Sequence, residues 1–435
     1  MIVDTKLSVD VVAVESEDRI SLMVDLTAPL SDKSKNRPSQ AVQIVLDRSG
    51  SMSGQPLNSA LNSVRKLIDR LAPHDSFGMV AFDTEALIVV PHRSMADHNL
   101  AALKQVIAMI VPGGSTDISV GYLMGLREIQ EGNLSSGATL LLISDGHANA
   151  GETDPELFQS IAQQHSLKKI TTSTIGLSEG YDETILSAIA AGGGGAHRFA
   201  ATLDESVAAI AAEVDNLLDK TAINAVLKVT PVDNSGVTAR VELLQQLPHW
   251  VDAGSLVVQL GDFYAGENRR FMIDFHVPHM ASLGLMKIAD VQLKYLNLAD
   301  LTEMIVSTPI TVNVVPDDIA KGRVENPVVN AERLVLQAQS DKSLANEELR
   351  SGKEKDAAVR LRAAAINLRR EVQKIDSTDK QIVESVKIIT DEADEMDRLA
   401  GYAESERVEF SVKRNMESLM MNSRSRKLKE EFNPK

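Results

Sequence analysis

The chain has 435 residues, of which 43% are hydrophobic, 24% charged and only 3% aromatic, with a formal net charge of −16 and a pI near 5.1. That length and balance describe a folded protein of several domains rather than a disordered one, and the acidity disfavours nucleic acid and anionic membrane as partners, since both reward clustered Lys and Arg. Cysteine is absent, which excludes disulfides and fits a reducing cytoplasm, and neither a signal peptide nor an apolar run of about 18 residues is found, so a cytoplasmic protein is expected.

Residues 5–28 alternate apolar and polar, with Leu7, Val9, Val11 and Ala13 before a polar turn at 15–18 and Ile20, Leu22, Val24 and Leu26 after it. Period-two spacing predicts an antiparallel hairpin with one buried face. The polar stretch 31–40 reads as a linker.

From 41 to about 218 short apolar runs alternate with helical segments. Strands are predicted at 42–46, 78–82, 86–90, 139–143, 170–175 and 198–200. Helices are predicted at 56–72, 97–110, 118–131, from Asp154-Pro155, at 182–191 and at 203–218. The first carries Leu57, Leu61, Val64, Leu67, Ile68 and Leu71 at helical spacing and ends near Pro73. Asp154 and Pro155 supply an N-cap followed by Pro at the first helical position. Apolar strands alternating with helices predict an α/β fold, a doubly wound, mostly parallel sheet covered on both faces.

After 220 the helical spacing vanishes and strands are predicted at 222–229, 237–244, 256–260, 270–277, 286–296 and 303–314. With the first hairpin they suffice for a β-sandwich into which the α/β domain is inserted. Trp250, after Pro248 and His249, is expected in a loop capping that sandwich. Beyond Pro316 the chain turns to Ala, Glu, Lys, Arg and Leu, predicting helices at 328–350, 353–374, 378–400 and 403–428, broken at 351–352, 376–377 and Gly401. The expected domains are therefore 1–38 (the first hairpin of the sandwich), 39–219 (α/β), 220–316 (the rest of the sandwich) and 317–435 (a helical bundle).

Three polar turns should meet at one edge of the α/β sheet. Asp47-Arg48-Ser49-Gly50-Ser51 follows the strand 42–46, Gly113-Gly114-Ser115-Thr116-Asp117 opens a helix, and Ser144-Asp145-Gly146-His147 follows the strand 139–143. Ligands of doubly wound sheets gather at the carboxyl ends of the strands. Each turn alone is ordinary turn and N-cap chemistry; three at one edge bring together the carboxylates of Asp47 and Asp145 and the hydroxyls of Ser49, Ser51 and Thr116. These hard oxygen donors suit Mg²⁺, or Mn²⁺ and Ca²⁺, better than a thiophilic metal.

Asp47-Arg48-Ser49-Gly50-Ser51 resembles the D-x-S-x-S signature of von Willebrand factor A (VWA) domains, Gly113–Asp117 their threonine loop, and Ser144-Asp145-Gly146 their T/S-D-G loop. The stretch 75–82 (DSFGMVAF) is similar to the strand that follows the family's first helix. The resemblance covers about 41–218 and is nearest to bacterial members and to inter-α-trypsin inhibitor heavy chains, although those carry a larger domain before the metal domain. It implies a metal-ion-dependent adhesion site in which Ser49, Ser51 and Thr116 touch the ion and Asp47 and Asp145 act mainly through bound water. It also implies a switch in which Thr116 moves into direct contact and the helix 203–218 shifts.

Three neutral hydroxyls with supporting carboxylates leave a dication under-neutralised. An Asp or Glu side chain, or a C-terminal carboxylate, of a partner protein could complete its shell. The expected function is therefore a metal-dependent adhesion or scaffolding module, not an enzyme. The alternatives are a substrate-recruiting adaptor of an AAA+ ATPase, which the resemblance to bacterial members implies, and a Mg²⁺-dependent hydrolase. The last lacks a G-x-x-x-x-G-K-[ST] loop, and its one nearby base, His147, reads as a solvated rim residue. Elsewhere, Gly192 to Gly195 read as a flexible turn, 424–429 as a solvated terminus, and Met416, Met420 and Met421 as hairpin contacts.

Overall fold

The computed structural model describes residues 1–424 except 15, 31–37, 133, 235–236, 246, 376–379 and 406. Most of the linker 31–40, the break at 376–377 and the basic run after Arg424 therefore lie outside the described residues.

The α/β unit is a six-stranded sheet in the spatial order Ala86–Ser94, Ser76–Phe82, Ala41–Asp47, Ala138–Ser144, Ile170–Leu177, Gly194–Ala200. All neighbours are parallel except the edge strand Ala86–Ser94, which runs antiparallel to Ser76–Phe82. The strands Ala41–Asp47 and Ala138–Ser144 are buried at every position, because helices cover both faces and leave no side open to solvent. Ile44 and Leu46 face one apolar cluster with the helices Gln55–Arg70, Leu100–Ala108 and Leu203–Leu218. Val45 faces the other, with Ile118–Gln130, Pro155–Ser166 and Glu183–Gly192. The doubly wound class follows from this alternation.

The glycines 192–195 are not a flexible turn. Gly194 and Gly195 begin the edge strand. A methyl group at Gly192 would lie 2.1 Å from the Gln159 carbonyl oxygen, and one at Gly195 1.8 Å from that of Thr172. Close backbone approach, not looseness, requires these residues.

Two further sheets are built from strands on both sides of the α/β unit. One has the order Ile2–Leu7, Asp18–Thr27, Asn268–Val277, Arg240–Leu243; the other His249–Asp252, Ser255–Tyr264, Lys220–Pro231, Gly284–Asn297, Thr302–Val315, Val11–Ala13. Ile20, Leu22, Val24 and Leu26, all fully buried, share one apolar cluster with Leu227, Val258, Phe271, Ile273, Phe275, Leu293 and Val312. The segment 5–28 is more than a hairpin. Ile2–Leu7 pairs antiparallel with Asp18–Thr27, but Val11–Ala13 crosses to the other sheet and runs parallel to Thr302–Val315. That crossing buries Val9 and Val12 in the shared core. Trp250 lies on the strand His249–Asp252, not in a capping loop; this is an edge strand whose four residues are all exposed, so it shows no alternation. The expected strand 237–244 is split, with Val237–Thr238 pairing locally and Arg240–Leu243 joining the four-stranded sheet.

After a short turn at Asp317–Ala320 come four long helices, Pro327–Arg350, Glu354–Val372, Lys380–Glu404 and Val408–Arg424. Asn326 caps the first, its side chain accepting the amides of Val328 and Val329, with Pro327 at the first helical position. Gly401 does not break the third helix, which continues to Glu404. The bundle core is rich in alanine, including Ala338, Ala345, Ala357, Ala365 and Ala393, which lets the helices approach closely. The first helix also rests Val328 and Val329 against Met23 and Met272 on the four-stranded sheet. Among the described residues no helix is long and apolar enough to cross a membrane.

Two buried histidines make the α/β unit sensitive to acid. His92 lies 3.0 Å from Gln43 Oε1 and 3.0 Å from Ser76 Oγ; His197 lies 2.8 Å from Thr174 Oγ1 and 3.0 Å from the Tyr181 hydroxyl. Burial pushes His92 down to about 4, with a smaller push from His98, and His197 down to about 3. The unfolded chain takes up both protons near pH 6.5. The stability these neutral rings contribute is therefore complete above that pH and is lost as pH falls from there toward the folded values. At pH 5 the loss is about 2 kcal/mol per histidine. Denaturant titrations at pH 7.5 and 5 should show it, and His92→Gln should remove its own share of the pH dependence. An equal slope in that variant contradicts the expectation.

Candidate metal centre

Asp47 closes the central strand Ala41–Asp47 and is completely buried. Its Oδ1 accepts the Ser49 amide at 2.7 Å, and its Oδ2 accepts the hydroxyl of Ser144, the last residue of the neighbouring strand, at 2.5 Å. The first turn then brings Ser49 Oγ within 3.1 Å of Ser51 Oγ, and the Ser51 hydroxyl donates to Asp145 Oδ1 at 2.7 Å. Thr116 joins from the second turn. A methyl group at Gly146 would stand 2.8 Å from Thr116 Oγ1 and 3.5 Å from Ser51 Oγ, so these hydroxyls flank the same small space and only glycine leaves it open. All five predicted residues are thus brought together.

The turns are locked by backbone contacts. The Gly50 amide donates to the Gly114 carbonyl at 3.0 Å, Gly113 to Arg48 at 2.6 Å, and Arg48 to Phe82 at 2.8 Å. The Thr116 amide donates to Asn149 Oδ1 at 2.9 Å, and the Asn149 amide to the Thr116 carbonyl at 3.1 Å. Asp83 is a further tie. Its Oδ2 lies 2.8 Å from Arg48 Nη2 and accepts the Gly114 amide at 3.3 Å, and its carbonyl accepts the Asp117 amide at 2.9 Å.

Burial raises both acids. Asp145 is pushed up to about 6, chiefly by desolvation with the charge of Asp47 adding to it. Asp47 is likewise raised by burial, against the opposing hydrogen bonds from Ser144 and Ser49. Among the described residues neither carboxylate forms an ion pair, because Arg48 is turned to Asp83. Two desolvated carboxylates beside three hydroxyls, with no protein cation, fit a small hard cation. Among the described residues no group of three or more His, Cys, Asp or Glu side chains is placed to hold a metal. The oxygen groups gathered at this edge are hydroxyls supported by two acids. His147 stands at the rim, exposed, with Nδ1 3.8 Å from Asp182 Oδ2.

Residues 42–213 match the family of von Willebrand factor type A domains. This segment is a VWA domain. An uncharacterized protein of Synechocystis is 25% identical over 351 residues, 79% of this chain and 82% of that one. Human inter-alpha-trypsin inhibitor heavy chain H4 is 29% identical over 164 residues, 36% of this chain but only 18% of the heavy chain. Among solved structures, a von Willebrand factor type A protein from Catenulispora acidiphila superposes with a TM-score of 0.72 at 16% identity, covering 98% of this chain and 97% of that one, a likeness of fold. VWA domains commonly mediate protein–protein interaction, and they typically bind a divalent metal.

Sequence reasoning passed over Asp83 and Asn149. Asp83 had a usable signal, since it follows the strand Ser76–Phe82 and stands at the same carboxyl edge as Asp47. Asn149 had none beyond its nearness to the third turn.

Proposed function

We propose that the VWA domain holds one divalent ion of the Mg²⁺ class, Mg²⁺, Mn²⁺ or Ca²⁺, and uses it to bind an acidic group of a protein partner. Ser49, Ser51 and Thr116 would supply neutral oxygen ligands, while Asp47 and Asp145 would supply the charge that keeps the ion in place. The observation that carries this reading is the convergence of two buried carboxylates and three hydroxyls with no ion-pair partner among the described residues. With only three neutral hydroxyls as direct protein ligands the ion keeps an open coordination position, so an Asp, Glu or C-terminal carboxylate from a partner completes its shell. The chain's own residues orient and desolvate that contact, and no step of covalent chemistry is required of them.

The test is affinity capture with the full chain as bait, in Mg²⁺ and in chelator, alongside an Asp145→Ala bait. The reading expects proteins retained in Mg²⁺, released by chelator and missing from the variant. If the retained set is the same in all three, the metal plays no part in capture.

A further inference from the structure

The last helix, Val408–Arg424, is built to do more than complete the bundle. It packs on the VWA domain beside its metal edge, with Phe410 stacked edge-on against Phe199 at 5.7 Å between centroids. Lys413 is the unusual residue: its side chain is 2% exposed, yet its Nζ reaches out of the bundle to donate to the Glu179 carbonyl at 2.6 Å. It also stands 5.1 Å from the Tyr181 ring centre and 3.6 Å from Glu183 Oε2. Two neighbours grip the same loop, Arg407 with Glu179 at 2.9 Å and Arg350 of the first long helix with Glu183 at 3.4 Å.

The loop gripped from that side touches the third metal turn on the other. The Ser178 hydroxyl donates to the Asp145 carbonyl at 3.4 Å, and the Asp182 amide donates to the Gly146 carbonyl at 3.3 Å. A methyl group at Gly180 would meet the Asp145 carbonyl at 3.4 Å, ordinary van der Waals contact, so the loop and the turn lie side by side. Basic side chains of the helical region, the loop 178–183 and the Asp145-Gly146 turn thus form one continuous set of contacts.

We propose that Lys413 is a positioning residue for the metal site, setting the place of the Asp145-Gly146 turn through the loop 178–183, so that ion binding and docking of the last helix favour each other. The proposal rests on the metal reading above. Because such coupling is reciprocal, an ion that prefers the docked arrangement must also strengthen docking.

The experiment uses the full chain and Mn²⁺ alone as probe. Calorimetric titration compares wild type with Lys413→Met, which keeps the apolar stem and loses the donor, and with the exposed Arg407→Ala. Amide exchange of residues 408–424 is followed in wild type with and without Mn²⁺. The proposal expects affinity to fall about fivefold or more in Lys413→Met and by less in Arg407→Ala. It also expects slower exchange in the last helix when Mn²⁺ is bound. Unchanged affinity in both variants, or exchange indifferent to Mn²⁺, overturns the coupling alone. Absence of Mn²⁺ binding by wild type overturns the metal reading with it.

Discussion

Asp145→Ala is expected to weaken Mn²⁺ binding by about 100-fold or more while leaving the metal-free protein at least as stable as wild type. The two halves of this result have one cause. Asp145 and Asp47 are nearly or fully buried beside one another, and neither has an ion-pair partner among the described residues. Desolvated like charges oppose folding, so removing one costs the empty protein little. The same removal takes from the ion one of its two nearby negative charges and frees Ser51, whose hydroxyl is now fixed by Asp145 at 2.7 Å. The clean measurement is thermal unfolding with and without the ion. Wild type should gain about 2.7 kcal/mol at an ion concentration of 100 times Kd, and the variant at that concentration should gain almost nothing. A variant stabilised as much as wild type would show that the acid is not part of an ion site.

The second large effect concerns the strand Asp18–Thr27. It lies inside the four-stranded sheet, between Ile2–Leu7 and Asn268–Val277, and turns Ile20, Leu22, Val24 and Leu26 into the core shared by the two sheets. Leu22→Ala should cost about 2–5 kcal/mol. Removing residues 1–30 discards all four side chains, each contributing about 1.5–3 kcal/mol of burial, and leaves Asn268–Val277 unpaired on one side. The expected outcome is loss of the cooperative unfolding transition of the β region. An isolated 38–220 segment, with apolar clusters of its own on each face of its sheet, should still unfold cooperatively. A truncated chain with an unchanged melting profile would refute the idea that these strands belong to one unit.

The α/β fold is legible in the sequence because its central strands are buried on both faces. The runs at 42–46 and 139–143, apolar but for Gln43 and the opening Thr139, are followed by an acid and a hydroxyl, so both the elements and the edge where they deliver polar groups can be read directly. The strand His249–Asp252 is invisible for the opposite reason, since an edge strand exposed at every residue carries no period. Glycines 192–195 mislead because the cause of their smallness, contact with the backbones of Gln159 and Thr172, lies far away in sequence. Lys413 and Arg407 look like ordinary charges on a helix. Nothing local says that they meet Glu179, more than two hundred residues earlier.

The pairing of Asp18–Thr27 with Asn268–Val277 also has a consequence for biosynthesis. Thr27 and Asn268, joined across the two strands, are separated by 241 positions, and the whole VWA domain emerges between them. At roughly 5–20 residues per second, the early strand waits about 12–50 s on the ribosome for its long-range partner. For that time its alternating apolar face is without the neighbour that will cover it, and a nascent chain with such an edge invites mispairing with its own copies. The intervening domain can complete its own sheet during the delay, since every strand of that sheet lies between Ala41 and Ala200. The order of synthesis therefore makes the β region close only after the α/β domain, and makes it the part with the longer need of chaperone cover.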